Sequence, residues 1–303
     1  MLHDSRRIYE QAFQDEPEPL LYGFPWWLDA TCGRDGWKVY EVSEKTDKPS
    51  VLIPYCQTKI RGMKAFINPP MSQWLPILKT NADARISLVD IIGSLKAYSI
   101  LDMSFRPEKN MLYPGEELPV HFRYSYLISP LQSKETIRSN YNEGLRRNLK
   151  LGENNYTIEE SNDIQTFLSF CTNTYQQRKI KTPPWLLKVV PEVFNGLRKN
   201  QMGKLEFAFE KGRPTAGILT GWDKQTSYYL MAGRSVDEGG ISAHSLLLHN
   251  AVMEANDAGR SFDFEGSMHA GIANFFHSFG ATPVAYWQTK RFRGAGKLWA
   301  LFH

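Results

Sequence analysis

The chain has 303 residues, with 36 Lys plus Arg against 32 Asp plus Glu, a formal net charge of +4, and 42% hydrophobic residues. That length suggests two domains or one large one, and 17 Phe, 14 Tyr and 8 Trp supply a core, which excludes a disordered chain. Three scattered cysteines (Cys32, Cys56, Cys171) exclude a disulfide scaffold and a cysteine-only zinc site, no apolar run approaches the roughly 20 residues of a membrane span, and so small a net charge does not demonstrate nucleic-acid binding.

The start, residues 1–13, is charged and lacks the apolar stretch of a signal peptide, so a reducing, cytoplasmic setting is expected. Whether Trp26, Trp27 and Trp37 lie in the core or at an interface is open, with core the default for large aromatics. Residues 38–56 read as two strands around a polar turn, with Val39, Val42, Val51 and Ile53 as apolar positions and Thr46–Pro49 as the break. A strand follows at 64–70. A helix is expected over 83–98, with Ile86, Val89, Ile92 and Leu95 on one face, and then a strand at 99–105. Residues 133–161 open with helix-start residues Ser133 and Thr136, place Leu145 and Leu149 on one face, and offer Gly152 as a helix stop. Lys181–Trp185, with paired prolines, reads as an exposed loop.

The second half then repeats the first. Residues 204–222 form a hairpin around Glu210–Pro214, 227–235 a strand, 242–259 a helix with Leu247, Leu248, Ala251 and Ala255 on one face and Gly259 at its stop, and 261–267 a strand. Hairpin, strand, helix and strand thus occur twice, offset by about 160 residues. In residues 271–280, Ile272, Phe275, Phe276 and Phe279 read as core, Gly280 as a cap and His277 as a surface or capping residue, before a last strand at 284–292.

Two stretches carry candidate chemistry. Gly233 to His244 is a strand-to-helix junction with glycines at 233, 239 and 240. Helix-start amides beside glycines suit phosphate groups, and Arg234 adds a charge; a ligand-free turn has the same composition. In Phe262–Ser267, strand alternation puts Phe262 and Phe264 on one face and Asp263 and Glu265 on the other. The two acids are either solvated, or one of them is a general base at a strand end. No zinc spacing and no nucleophile elbow occurs, and the basic clusters at 146–150, 178–181 and 290–297 are short.

This order of elements resembles the GNAT acyltransferase fold, and the wording of 141–150, 228–234 and 262–280 resembles its FemAB-like branch, in which two GNAT-like units are fused. The resemblance implies an α/β fold of two tandem GNAT-like units, here 1–130 (structural and acceptor-shaping) and 131–303 (donor-binding). It implies transfer of an acyl group from acetyl-CoA or another acyl-CoA, without a metal, to a small-molecule amine. An aminoacyl-tRNA donor acting on a peptidoglycan precursor is the enzymatic alternative, and a scaffold or ligand-binding protein that has lost chemistry is the third. By position the donor lies between strands 227–233 and 261–266, against Met231, Ala232, Arg234, Gly239, Gly240, Ser242, Ala243, His244 and Asn274. Glu265 is the expected base. Many GNAT enzymes have an acid tyrosine where this chain has Phe276, so Tyr229, Tyr286 or His277 substitutes, the leaving group departs unaided, or chemistry is absent. The first unit has Asn68–Pro69–Pro70 at the corresponding strand end, where proline removes amides a phosphate needs.

Overall fold

A computed structural model describes residues 2–42, 50–81, 84, 86–107, 111–112, 120–177, 179–235, 240–266 and 268–294. The fold is mixed α/β and divides into two compact units, Met1–Arg123 with Ala285–His303, and Tyr124–Val284. The division differs from the 130/131 boundary expected above because residues from Ala285 onward form a strand of the first unit.

The first unit opens with α1 (Leu2–Gln14), a 3-10 turn (Leu21–Gly23) and α2 (Pro25–Cys32), started by Pro25. Strands β1 (Trp37–Val42), β2 (Val51–Ile60) and β3 (Met63–Ile67) follow in antiparallel register, Val39 opposite Pro54 and Cys56 opposite Ile67. Pro54 has no amide to donate. It falls between the stretches of β2 that pair with β3 and with the short β4 (Leu78–Lys79). After β5 (Ile86–Ser87) and α3 (Leu88–Ser94), β6 (Ile100–Phe105) returns parallel to β3, Ala65 opposite Ile100. Strand β7 (Met111–Leu112) pairs with β5. Val51, Ile53, Phe66, Ile92, Leu101 and Phe105 fill the core, and Tyr9, Leu28, Trp37 and Leu52 a second cluster. Trp27 and Trp37 are buried, as the core reading expects, while Trp26 is half-buried.

The helix expected over 83–98 is only 88–94, and its face is different. Ile86 is in β5, Val89 is exposed, and Leu88, Ile91, Ile92 and Leu95 are buried. A strict spacing of three drifts off one face of a helix with 3.6 residues per turn; the buried set follows i, i+3, i+4, i+7.

The second unit contains the Tyr124–Ile128 part of β8 (Val120–Ile128), α4 (Lys134–Ser139), α5 (Glu143–Asn155), β9 (Thr157–Ser161), α6 (Ile164–Gln177), α7 (Leu186–Lys199), β10 (Gly203–Glu210), β11 (Arg213–Trp222), β12 (Thr226–Arg234), α8 (Ile241–Asp257), β13 (Ser261–Asp263) and α9 (Ala270–His277). Its strands lie in the order β8-β13-β12-β11-β10-β9. Ile218, Leu247, Leu248, Val252, Phe262, Phe264, Phe276 and Phe279 form its core. Residues 133–155 form two helices, not one. Ser133 caps α4, accepting from the Thr136 amide, and Asn142 caps α5, accepting from the Leu145 amide at 2.8 Å. Gly152 does not stop α5 but lies within it. A Cβ there would meet the Ser242 carbonyl at 2.9 Å and Leu246 Cβ at 3.1 Å, so glycine lets α5 and α8 approach closely.

The last strand, β14 (Thr282–Phe292), joins the first unit from Ala285 and runs antiparallel to β6, Trp287 opposite Phe105. The pairing order of β1-β2-β3-α3-β6 recurs in β10-β11-β12-α8-β13: hairpin, antiparallel third strand, helix, parallel fourth strand.

Candidate active site

In the second unit two parallel strands part. Strands β12 and β13 pair only from Thr226 opposite Ser261 to Tyr228 opposite Asp263. Strand β13 ends there, while β12 runs on to Arg234. The cause is local. Asp263 is buried, its carboxylate accepts from Ser125 Oγ, and the same oxygen accepts from the Glu265 amide at 2.8 Å. That bond curls the chain, so that Glu265 takes φ +61° and Gly266 φ +78°, and the strand cannot continue. Phe262 and Phe264 pack together in one core cluster, as the alternation expects, but Asp263 is buried rather than solvated, and Glu265 is half-buried on a left-handed turn. A glutamate in that conformation stores strain, and such strain clusters at functional sites.

At the same level β12 carries a bulge. Its pairing with β11 steps from Tyr229 opposite Thr220 to Met231 opposite Leu219, leaving Leu230 unopposed. Tyr229 and Ala232 consequently pack against the same core cluster, although residues three apart in a regular strand face opposite ways. Beyond Tyr228, the β12 edge that β13 has left carries backbone groups with no strand partner on that side among the described residues.

Side chains of three elements meet beside this opening. The Tyr229 hydroxyl on β12 hydrogen-bonds His244 Nε2, in the first turns of α8, at 2.9 Å. The His244 ring packs on Phe275 of α9 with centroids 5.4 Å apart, and the Tyr229 ring meets Phe276 edge-on at 6.2 Å. Helix α8 starts at Gly240, which is extended (φ −65°, ψ 178°) and provides no side-chain cap. Among the described residues no side chain caps its first-turn amides, which lie at the positive end of a 17-residue helix. Ala243 is fully buried in the core. Ser242 is half-buried.

The other expected residues lie as follows. Met231 and Ala232 are half-buried, and the Ala232 carbonyl accepts from Cys171 Sγ of α6 at 3.7 Å. Arg234 is exposed and donates to Gln177 Oε1 at 3.2 Å, and Asn274 is exposed on α9. Tyr286 belongs to the first unit, buried edge-on against Trp74 at 5.7 Å. His277 is exposed against the Tyr126 ring, and Phe276 is buried. Gly239 lies outside the described residues.

Sequence reasoning missed the Leu230 bulge, the Ser125–Asp263 anchor, and the pairing of Tyr229 with His244, each named separately. A second pair, Tyr141 hydroxyl to His249 Nδ1 at 3.0 Å, is buried in the core. Burial, with help from Arg138, pushes His249 down to about 4 and burial raises Tyr141. Among the described residues no group of His, Cys, Asp or Glu is arranged to hold a metal ion.

Residues 136–275, which contain Tyr229, His244, Asp263, Glu265 and Phe275, match the family model described as an acetyltransferase (GNAT) domain. The fold is similar to that of FemX, at 11% identity over 93% of this chain and 95% of that one, with a TM-score of 0.63. It is similar to the C-terminal domain of a putative lysylphosphatidylglycerol synthetase from Agrobacterium fabrum, at 12% identity over 100% and 96% of the two chains (TM-score 0.58). L-PGS from Bacillus licheniformis gives 12% identity over 95% and 92% (TM-score 0.56). None of the curated proteins matches the chain by sequence. Residues 136–275 are thus similar to a GNAT acetyltransferase domain, set in a chain whose fold is similar to that of FemX.

Proposed function

We propose that the second unit transfers an acyl group from an acyl-CoA thioester to an amine. The observation that carries this reading is the parting of β12 and β13 at Tyr228 with the bulge at Leu230 beside it. The donor carbonyl enters the opening and its oxygen accepts from backbone amides of the Met231–Ala232 stretch, which stabilise negative charge as it develops. The donor pyrophosphate takes the uncapped amides at the start of α8. Glu265 accepts a proton from the neutral amine as its nitrogen bonds to the carbonyl carbon, and the tetrahedral intermediate collapses with cleavage of the carbon–sulfur bond. Tyr229 gives its proton to the departing thiolate, with His244, its hydrogen-bond partner, supporting the phenolate. Phe276 has no proton to give, so Tyr229 fills that role from a different element.

A second reading keeps the chemistry and changes the donor to an aminoacyl-tRNA ester. It is supported by the fold neighbours named lysylphosphatidylglycerol synthetase, a name that denotes an aminoacyl product. Thermal stability with acetyl-CoA, longer acyl-CoAs and free CoA separates the two. A ligand at about 100 times its Kd adds about 2.7 kcal/mol. A rise with a thioester supports the first reading. No rise at saturation overturns it, and salt-sensitive tRNA binding then supports the second. Failure of both leaves a binding protein on a transferase fold.

A further inference from the structure

The segment joining α6 to α7 has a composition and an exposure that the transfer chemistry does not use. From Ile164 to Pro191 the sequence contains no Asp or Glu and four basic residues, Arg178, Lys179, Lys181 and Lys188. Lys179, Lys181 and Lys188 are exposed and have no carboxylate partner among the described residues. Between them lie Ile180, 53% exposed, and Leu187, 60% exposed, with Trp185 half-exposed.

The backbone holds these side chains outward. The Lys179 amide donates to the Gln176 carbonyl at 2.9 Å and the Ile180 amide to the Tyr175 carbonyl at 3.0 Å, the paired bonds that close a helix through a left-handed residue. That residue is Lys179, at φ +55°, where glycine is the low-energy choice. In this motif the apolar residue after the left-handed one commonly packs back on the helix; Ile180 instead stays in solvent. Leu187 is equally unneeded by the core, since α7 buries Leu186, Val189, Val190, Val193, Phe194 and Leu197 on its inward stripe. Two large aliphatic side chains and a tryptophan, framed by lysines with no ion-pair partner among the described residues and with Glu192, one turn beyond Lys188, as the next acid in sequence, match the boundary of an anionic bilayer, where the apolar groups enter and the ammonium groups stay with the headgroups. An RNA would use the lysines but gain nothing from Ile180 and Leu187, which neither bond phosphate nor stack on bases.

The loop also starts at the open end of the unit. Helix α6 packs along β12 so closely that a Cβ on Gly233 would meet the Cys171 amide nitrogen at 2.4 Å, and Gln177, at the end of α6, bonds Arg234, the last residue of β12. No described helix is long and apolar enough to cross a membrane, so any attachment through this loop is peripheral.

We propose that the α6–α7 loop docks the second unit on an anionic lipid surface through Ile180, Trp185, Leu187 and the three lysines. This inference does not depend on the donor or on turnover. The test is co-sedimentation of the full chain with vesicles of phosphatidylcholine alone and of equal parts phosphatidylcholine and phosphatidylglycerol. The expected result is binding to the anionic vesicles that weakens with salt. Ile180→Ser with Leu187→Ser should weaken it at least about 10-fold. Serine at Lys179, Lys181 and Lys188 together should weaken it roughly 100-fold. All five positions are exposed, so the melting temperature should not move. Absence of preference for anionic vesicles, or unchanged binding in the Ile180/Leu187 variant, overturns the proposal. So does a surface that binds tRNA through the lysines while the Ile180/Leu187 variant keeps full affinity for every partner.

Discussion

The two units run the same sequence of pairings and end differently. In the second, the third strand outruns the fourth: β12 continues to Arg234 after β13 stops at Asp263. In the first, the fourth outruns the third: β3 stops at Ile67, opposite Asp102, and β6 continues to Phe105. That extra length is closed off. The Asn68 amide donates to the Asp102 carbonyl at 3.2 Å, the Asn68 side chain accepts from the Ser104 amide at 3.0 Å, and the Leu75 amide donates to the Ser104 carbonyl at 2.8 Å. The connecting helix differs as well, 7 residues in α3 against 17 in α8. One connectivity therefore gives an open strand edge facing a strong helix terminus in one unit and a stitched edge in the other. The aspartate ending each parallel pairing shows the difference in miniature. Asp263 is buried and holds a turn, whereas Asp102 bonds Lys290 at 3.1 Å with a third of its side chain in solvent.

The largest effect should come from the opening itself. Glu265→Gln should lower turnover by roughly 10²–10⁴-fold while the thermal shift given by the donor is kept; loss of donor binding in step with rate would remove Glu265 from the base role. Tyr229→Phe should follow at about 100-fold. Next, Asp263→Ala should cost about 3 kcal/mol in urea unfolding, because a buried acceptor is lost and the Glu265 amide is orphaned. Asp102→Ala should cost less than about 1 kcal/mol, as a solvent-exposed ion pair does. Equal costs would break the contrast between the two strand ends.

Acid should act on the second unit. His249 is held neutral with its pKa near 4, below the ordinary 6.5, so the unfolded chain takes up a proton first. Its contribution is intact above pH 6.5 and lost as pH falls toward 4, roughly 2 kcal/mol after screening. Urea unfolding across that window checks it, and His249→Gln should flatten the slope. Modest effects are expected at helix starts: Ser87→Ala in the first unit and Asn142→Ala in the second should each cost about 1 kcal/mol, since each side chain accepts a backbone amide. A much larger cost at Asn142 would mean that the break between α4 and α5 is itself a structural pivot.

Much of this frame was legible in the residues. Both hairpins, the strand that each precedes and the helix over 241–257 follow from alternation, turn residues and apolar periodicity, which are local signals. What was not legible depends on partners remote in sequence. Gly152 looks like a helix stop until α8 lies against it. Asp263 looks like a solvated acid until Ser125, from a strand more than 100 residues earlier, reaches its carboxylate. The extra residue at Leu230 cannot be seen in β12 alone, because a bulge is defined only by the strand opposite. Around the candidate site, Glu265, Tyr229 and His244 were each marked by residue type and position, but only tertiary geometry pairs the last two.

The return of the chain through β14 also sets an order of assembly. The second unit, Tyr124–Val284, is continuous in sequence and has all its residues once Val284 has been made. The first unit is begun earliest but keeps an unpaired edge on β6 until residues 287–292 arrive to cover it. On a ribosome, the part synthesised first is thus completed last. Its exposed strand must be kept from other chains during that interval, and truncation just before β14 should leave the β6 edge unpaired and the chain prone to aggregate.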